Sequence, residues 1–210
     1  MQASSDAYDL PDWGPLAISA AKGRLAIRLD PILRLHHHLK RVVGAHKEVM
    51  LVQVRLAWWR DELRKPRAEH EARPADPLLA GLLEGWAGEQ EIPIALVDAW
   101  ESVLAERPWP TAVSNAFVTA YGDAFAGLAE DTSAGEAAAV HGACWARAEL
   151  VLIGWTNDRP IGPLTRLPAD LRALAVIGGL SRRALQKPGR PLLGDRLSPL
   201  VAMRLGILGR

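Results

Sequence analysis

Apolar side chains recur at helical spacing along most of the chain, and the clearest pattern runs from about residue 47 to residue 65. Two apolar series share this segment: Leu51, Val54 and Trp58 form one, and Val52, Leu56, Trp59 and Leu63 form the other. Spacings of three and four residues place each series on one side of an α-helix. Two such stripes make a broad apolar face, so we expect this helix to lie at the centre of the fold.

Similar patterns, bounded by prolines and capping residues, predict helices that begin near residues 30, 47, 76, 93, 111, 134, 168 and 198. Asp30-Pro31 and Asp76-Pro77 each join an N-cap acid to a proline suited to the first helical position. The alternation typical of strands is nearly absent, whereas residues that favour helices are abundant. The sequence therefore predicts an all-α, single-domain bundle of about eight helices over residues 24–210. A flexible N-terminal arm, residues 1–23, precedes it.

Composition narrows the class of protein further. The chain has 210 residues, of which 49% are apolar, and a formal net charge of +1. This balance is typical of globular proteins and argues against general binding of nucleic acid. Cys144 is the single cysteine, which excludes a disulfide framework. No apolar run approaches the roughly 20 residues that span a bilayer. The acidic start lacks the basic region of a secretion signal, so we expect a cytoplasmic protein.

Charge is distributed unevenly along the chain. Residues 84–136 contain ten acidic residues and a single base, Arg107, whereas residues 159–210 contain ten bases and two acids. One interpretation is that the two segments form solvated faces that pair with each other in the fold. The other is that the basic C-terminal region meets an anionic partner, such as a diphosphate or the lipid headgroups of a membrane surface.

Histidines occur in two patterns that could carry chemistry. The three consecutive histidines at 36–38 point about 100° apart on a helix and cannot share one metal ion. We therefore interpret them, and His46, as solvent-facing or partly packed. His141 and Cys144 lie three residues apart on one predicted helix, a spacing at which a nucleophilic dyad can form. A cysteine in an alanine-rich helix is more often a small core residue, and we favour that interpretation.

The segment with adjacent tryptophans carries the strongest candidate site. Exposing two neighbouring indoles to water is costly, so at least one of Trp58 and Trp59 should be buried. Arg60 and Asp61 follow directly, and Arg55 precedes Trp59 by one helical turn. We expect Arg55 at a cavity mouth as an anion contact and a tryptophan in the apolar interior. Arg60 and Asp61 should pair with neighbouring helices. The alternative is a purely structural helix, tied to its neighbours by arginine–carboxylate pairs.

Three segments resemble a known family in their order and spacing. They are VQVRLAWWRDEL (52–63), DPLLAGL (76–82) and IPIALVDAWESVLAE (92–106), and they resemble the squalene/phytoene synthase family. The resemblance is strongest to a divergent branch that includes the mitochondrial complex I assembly factor of this fold. It covers about residues 25–130, and the final RLGILGR (204–210) is also similar. It implies an isoprenoid-synthase-like helical fold, whose active members join two prenyl diphosphates.

Active members of the family depend on DxxxD clusters on two facing helices, whose carboxylates hold Mg²⁺ ions that neutralise the departing diphosphate. No Asp or Glu in this chain has another carboxylate four residues further on. The helix where the first cluster is expected is basic, and the helix at 134–155 offers only Glu136 and Glu149. Arginines without Mg²⁺ do not drive ionisation of a diphosphate at useful rates.

We therefore expect a non-catalytic, squalene/phytoene synthase-like protein without a cofactor or a metal site. It would bind an isoprenoid or lipid-like ligand, or a protein partner, and the assembly-factor branch extends this to respiratory complex assembly. The alternative is an active prenyltransferase of isoprenoid biosynthesis that holds Mg²⁺ through atypical ligands. A third interpretation is an unrelated helical scaffold in which the tryptophan-containing helix is coincidental.

Overall fold

The predicted helical patterns form nine α-helices in the part of the chain that the computed structural model describes. That part comprises residues 9–10, 12–45, 48–66, 74, 76–155, 162–187, 191–192 and 198–208. The helices are α1 (Gly14–Ser19), α2 (Gly23–Ala45), α3 (Val49–Arg64), α4 (Pro77–Gly85), α5 (Glu91–Ser102), α6 (Thr111–Ala126), α7 (Thr132–Leu152), α8 (Arg172–Leu185) and α9 (Ser198–Leu208). A short 3-10 helix, Ala169–Leu171, leads into α8. The structure confirms an all-α, single-domain bundle, with nine helices rather than about eight over these residues.

Of the two helix starts predicted from an Asp-Pro pair, the one at Asp76 is correct and the one at Asp30 is not. Asp76 caps α4, because its carboxylate accepts hydrogen bonds from the backbone N–H groups of Leu78 at 2.9 Å and Leu79 at 3.0 Å. Asp30, by contrast, does not begin a helix. Helix α2 begins at Gly23 and has Pro31 in its interior, so the predicted start at residue 30 is wrong. The turn before Pro31 buries Leu29 and its neighbours. The free energy gained by this packing outweighs the cost of the backbone hydrogen bond that the proline cannot donate.

Residues 12–20 are held by packing rather than loosely attached. Trp13 is 6% exposed and meets Trp145 of α7 edge to face, with ring centroids 5.6 Å apart. Ala17 of α1 is fully buried. The predicted flexible arm is therefore wrong for this stretch, because one tryptophan supplies the apolar area that the surrounding Asp, Pro and Gly residues lack. Residues 1–8 and 11 lie outside the described residues.

The centre of the bundle is the close pairing of α6 and α7. A Cβ atom added to Gly142 would lie 2.2 Å from the backbone oxygen of Tyr121, so only glycine permits this approach. The side chain of His36, from α2, lies against three aromatic rings: Trp100 of α5, Tyr121 of α6 and Trp145 of α7. Four helices therefore meet around His36, which is 1% exposed, so its interpretation as a solvent-facing or partly packed residue is wrong.

Helix α3 lies at the surface, which corrects its predicted central position. One of its two apolar stripes faces the core: Val52, Leu56, Trp59 and Leu63 are buried. The other faces solvent, with exposed fractions of 52% for Leu51, 62% for Val54 and 44% for Trp58. A broad apolar face indicates a central helix only if neighbouring helices cover both stripes, and here they cover one.

Candidate functional site

The five residues of α3 predicted as a site do not converge. Arg60 forms ion pairs with two acids of α5, Asp98 at 3.0 Å and Glu101, so its predicted pairing with a neighbouring helix is confirmed. Arg55 and Asp61 are exposed. Trp59 is the buried member of the tryptophan pair, and Trp58 packs against it edge to face at 5.1 Å.

A cavity of about 210 Å³ brings three of these residues together between α2 and α3. It is lined by Arg55, Trp58 and Trp59 of α3 and by His38 and Val42 of α2. His38 meets Trp59 edge to face, with ring centroids 5.4 Å apart. A space of this size lies below the range of about 300–1,000 Å³ typical of small-molecule sites, so it is a weaker candidate for a ligand site than the larger groove described below.

A buried polar network surrounds His36 in the bundle centre. Trp100 Nε1 donates to the hydroxyl oxygen of Tyr121 at 2.8 Å, and that hydroxyl group donates in turn to His36 Nδ1. We assign this direction because the tyrosine oxygen already accepts from the indole. The other ring nitrogen, Nε2, faces Oε1 of Glu149 at 3.7 Å. Lys40 Nζ donates to Oε2 of the same carboxylate at 2.7 Å.

Burial and neighbouring charges set the protonation of this network. Burial lowers the pKa of His36, although the Glu149 carboxylate opposes the shift, so the imidazole is neutral near pH 7. Burial alone would raise the pKa of Glu149, but the contact with His36 Nε2 and the neighbouring Lys40 ammonium lower it below its usual value. The carboxylate is therefore ionised, and Lys40, which is one-third exposed, compensates its charge. Neither of the two cavities described here is lined by His36 or Glu149.

The predicted pair on α7 is not a nucleophilic dyad. Cys144 is buried, its Sγ lies 3.7 Å from the backbone oxygen of Gly178, and burial raises its pKa to about 11. His141 Nε2 donates instead to the backbone oxygen of Thr165 at 2.8 Å. This bond fixes the segment before α8 against α7. His46, of the other predicted group, lies outside the described residues.

A basic groove of about 650 Å³ lies where α8, α9 and the segment before α8 meet. Adjacent glycines on α8 lie next to it. A Cβ atom on Gly178 would lie 2.3 Å from His141 Nδ1, and one on Gly179 would lie 2.4 Å from Cδ1 of Leu205. The pair therefore lets α7 and α9 approach α8 from two sides. Both glycines are therefore helix-packing residues.

Four arginines line the groove. Arg166 belongs to the segment that His141 fixes, Arg182 and Arg183 to the last turn of α8, and Arg204 to α9. Within the described residues, Arg166, Arg182 and Arg204 have no carboxylate within ion-pair distance. The Nε atom of Arg182 is buried without a hydrogen-bond partner in the same part of the chain. The remaining lining is mostly apolar.

The acidic segment 84–136 pairs with the N-terminal helices rather than with these arginines. Glu89 contacts Arg28 of α2 at 2.8 Å, and the two acids of α5 contact Arg60 of α3. The interpretation that the acidic and basic segments neutralise each other is therefore wrong for these ion pairs. The excess of bases in residues 159–210 was the one sequence signal for the groove, but it did not show which arginines converge.

The described residues contain no group of three or more His, Cys, Asp or Glu side chains placed to hold a metal ion. In the same residues, no helix has the length and apolar character needed to cross a membrane. Comparison of the whole chain with protein-family models, curated proteins and solved structures found no match.

Proposed function

We propose that this protein binds an anionic isoprenoid or lipid-like ligand in the basic groove and does not convert it. The observation that carries the proposal is the convergence of four arginines on an apolar groove of about 650 Å³. Guanidinium groups bind phosphate oxygens through two parallel hydrogen bonds, so they suit a diphosphate or phosphate head. The volume lies within the usual range for small-molecule sites.

The rest of the groove suits an apolar tail. Leu164, Leu200 and Val201 contribute accessible aliphatic surface beside the arginines. A ligand with a charged head and a hydrocarbon chain would satisfy both halves of this lining, whereas a free phosphate would leave the aliphatic half in water. This division of the lining favours an amphiphile, and the sequence resemblance to enzymes of isoprenoid biosynthesis favours the same class.

The proposal that the ligand is not converted depends on the carboxylates of the sequence. The chain has no pair of carboxylates four residues apart, so it lacks the arrangement with which related enzymes hold Mg²⁺ against diphosphate. The alternative remains an active prenyltransferase with atypical metal ligands. Incubation with farnesyl diphosphate and Mg²⁺, followed by measurement of released diphosphate, decides between them. Release above the protein-free control would refute the non-catalytic proposal.

Isothermal titration with farnesyl diphosphate tests the site itself. We expect farnesyl diphosphate to bind at least tenfold more tightly than either farnesol, which lacks the head, or inorganic diphosphate, which lacks the tail. Arg166→Gln and Arg204→Gln should each weaken binding about tenfold, which corresponds to about 1.4 kcal/mol for a charged hydrogen bond. Both arginines are solvent-exposed, so neither change threatens the fold. Arg64→Gln on α3 is the matched control and should leave the affinity within twofold.

A second function, binding of a protein partner, is favoured by the exposed stripe of α3. Leu51, Val54 and Trp58 form a continuous apolar face on one helix. Under the resemblance to the assembly-factor branch, that partner would be a subunit of a respiratory complex. Cross-linking from position 51 in cells, with Val54→Asp as the blocking variant, tests this function. A cross-link pattern that Val54→Asp does not change would contradict it.

A further inference from the structure

Helix α9 exposes an apolar face next to the basic groove. Its inner side packs on α8 through Ala202 and Leu205, which are 2% and 8% exposed. Its outer side carries Leu200, Met203 and Ile207, and each of these is more than half exposed. The spacings of three and four residues place the three side chains on one face of the helix. Large apolar side chains grouped in this way indicate a surface that meets something other than water.

Charge on and around α9 indicates what that surface meets. Arg204 lies beside the outer face, one helical turn after Leu200, and it also lines the groove with Arg166 and Arg182. Helix α9 contains no acidic residue. Helix α9 is apolar on both its inner and its outer side, so its outer aliphatic side chains suit the acyl boundary of a bilayer, while Arg204 and the other groove arginines suit phosphate headgroups. The exposed stripe of α3 differs, since Glu48 and Asp61 are exposed beside it.

The groove and the outer face of α9 are continuous. Leu200 belongs to both, because it lines the groove and is 58% exposed. Leu200 therefore connects the apolar lining of the groove with the face that it forms with Met203 and Ile207. A ligand head held by the groove arginines would then have its tail directed toward whatever covers that face.

We propose that α9 rests on an anionic lipid bilayer and that the groove takes its amphiphilic ligand from that bilayer. The inference rests on the proposed function, since it assigns a source to the ligand of the same groove. A bilayer supplies the anionic headgroups and the apolar layer that this surface requires, side by side over its whole area. Membrane contact of this kind is peripheral, through one face of a surface helix.

Co-sedimentation with vesicles tests the inference. We expect the full chain to sediment with vesicles of phosphatidylcholine and phosphatidylglycerol, and to remain in solution with phosphatidylcholine alone. Added salt should weaken the binding, because it screens the arginines from the headgroups. The double variant Met203→Asp/Ile207→Asp should reduce the partition coefficient at least tenfold. Ile27→Asp/Val140→Asp, which adds the same charge at exposed apolar positions on α2 and α7, is the control and should have no effect.

Titration with soluble farnesyl diphosphate separates this inference from the proposed function. Met203 and Ile207 do not line the groove, so the double variant should retain the wild-type affinity for that ligand. A wild-type chain that binds farnesyl diphosphate but no vesicles would overturn the membrane inference and leave the proposed function standing. A chain that binds vesicles but not farnesyl diphosphate would overturn both. Equal loss of vesicle binding with Ile27→Asp/Val140→Asp would also refute the role of α9.

Self-association is the competing explanation for an exposed apolar helix face. If α9 instead joined two copies of the chain, the wild type would sediment as a dimer without lipid. The double variant would then sediment as a monomer. We expect analytical ultracentrifugation to give the same mass for both proteins. A lipid-free dimer that the double variant disperses would overturn the inference.

Discussion

The adjacent tryptophans of α3 offer a direct test of how this helix packs. Trp59 is 2% exposed and lies against the core, whereas Trp58 is 44% exposed on the outer stripe. Replacing either residue by alanine removes the same atoms from the same helix, one position apart. The helix propensity and the chemistry of the change are therefore matched, and burial is the variable that differs.

The expected difference follows from the exposed fractions. They differ by about four-tenths, which for an indole of about 250 Å² is about 100 Å² of apolar surface. At about 25 cal/mol per Å², this area corresponds to about 2.5 kcal/mol. Trp59→Ala should lower the free energy of unfolding by about 3–5 kcal/mol, the usual cost of deleting a buried aromatic side chain. Trp58→Ala should cost about 2 kcal/mol less than Trp59→Ala.

Urea unfolding, followed by circular dichroism of the helices, measures both costs on one scale. The difference between the variants should appear as a lower midpoint for Trp59→Ala at an unchanged slope. Equal costs for the two variants would contradict the placement of α3 at the surface. A greater cost for Trp58→Ala would mean that the helix is rotated so that its outer stripe faces the core.

Three further predictions follow from the bundle core. Gly142→Ala should destabilise the fold by about 3 kcal/mol, because the new methyl group overlaps a backbone oxygen of α6; Gly44→Ala, where nothing lies within 4 Å, should be neutral or stabilising in the same urea experiment. Cys144 should react with thiol reagents only on unfolding, because burial raises its pKa to about 11; fast labelling of the native protein would contradict this placement. Burial lowers the pKa of His36 and His141, so the unfolded chain binds protons that the folded chain does not. Stability should therefore fall as pH decreases below about 6.5, by up to about 1.4 kcal/mol per pH unit for each histidine. A flat urea midpoint between pH 7 and pH 5 would refute this account.

Local signals were sufficient for most helices. Asp76 and the following proline predicted the start of α4, because a cap depends on residues adjacent in sequence. Leu174, Ile177 and Leu180 recur at helical spacing in the sequence and are buried in α8, so the inner face of this helix is also a local feature. Both features are decided within one or two helical turns.

Features that depend on other helices were not predictable in this way. Pro31 has the sequence of a helix start, yet α2 continues through it because its first turns are packed against α4. The apolar pattern of α3 does not specify whether neighbouring helices cover one of its two apolar stripes or both. Both outcomes depend on where distant segments lie, which no spacing within one helix encodes.

The candidate site illustrates the same limit. The sequence indicated a site at Arg55, Trp58, Trp59, Arg60 and Asp61. It could not show which acids form ion pairs with Arg60, and these belong to α5. The arginines of the groove lie on three separate elements between residues 166 and 204, so no motif joins them. Only the excess of bases over residues 159–210 pointed to them, and it did so without identifying the site.

Photolabelling tests most directly whether the basic groove is the ligand site. A farnesyl diphosphate analogue with a photoreactive group at the end of its tail would be bound, irradiated and located by mass spectrometry of the peptides. We predict labels confined to residues 162–187 and 198–207, with competition by unlabelled farnesyl diphosphate and loss of labelling in Arg204→Gln. Labels beside Val42 of α2 and Trp58 of α3 that unlabelled farnesyl diphosphate suppresses would contradict the account and place the site in the smaller cavity.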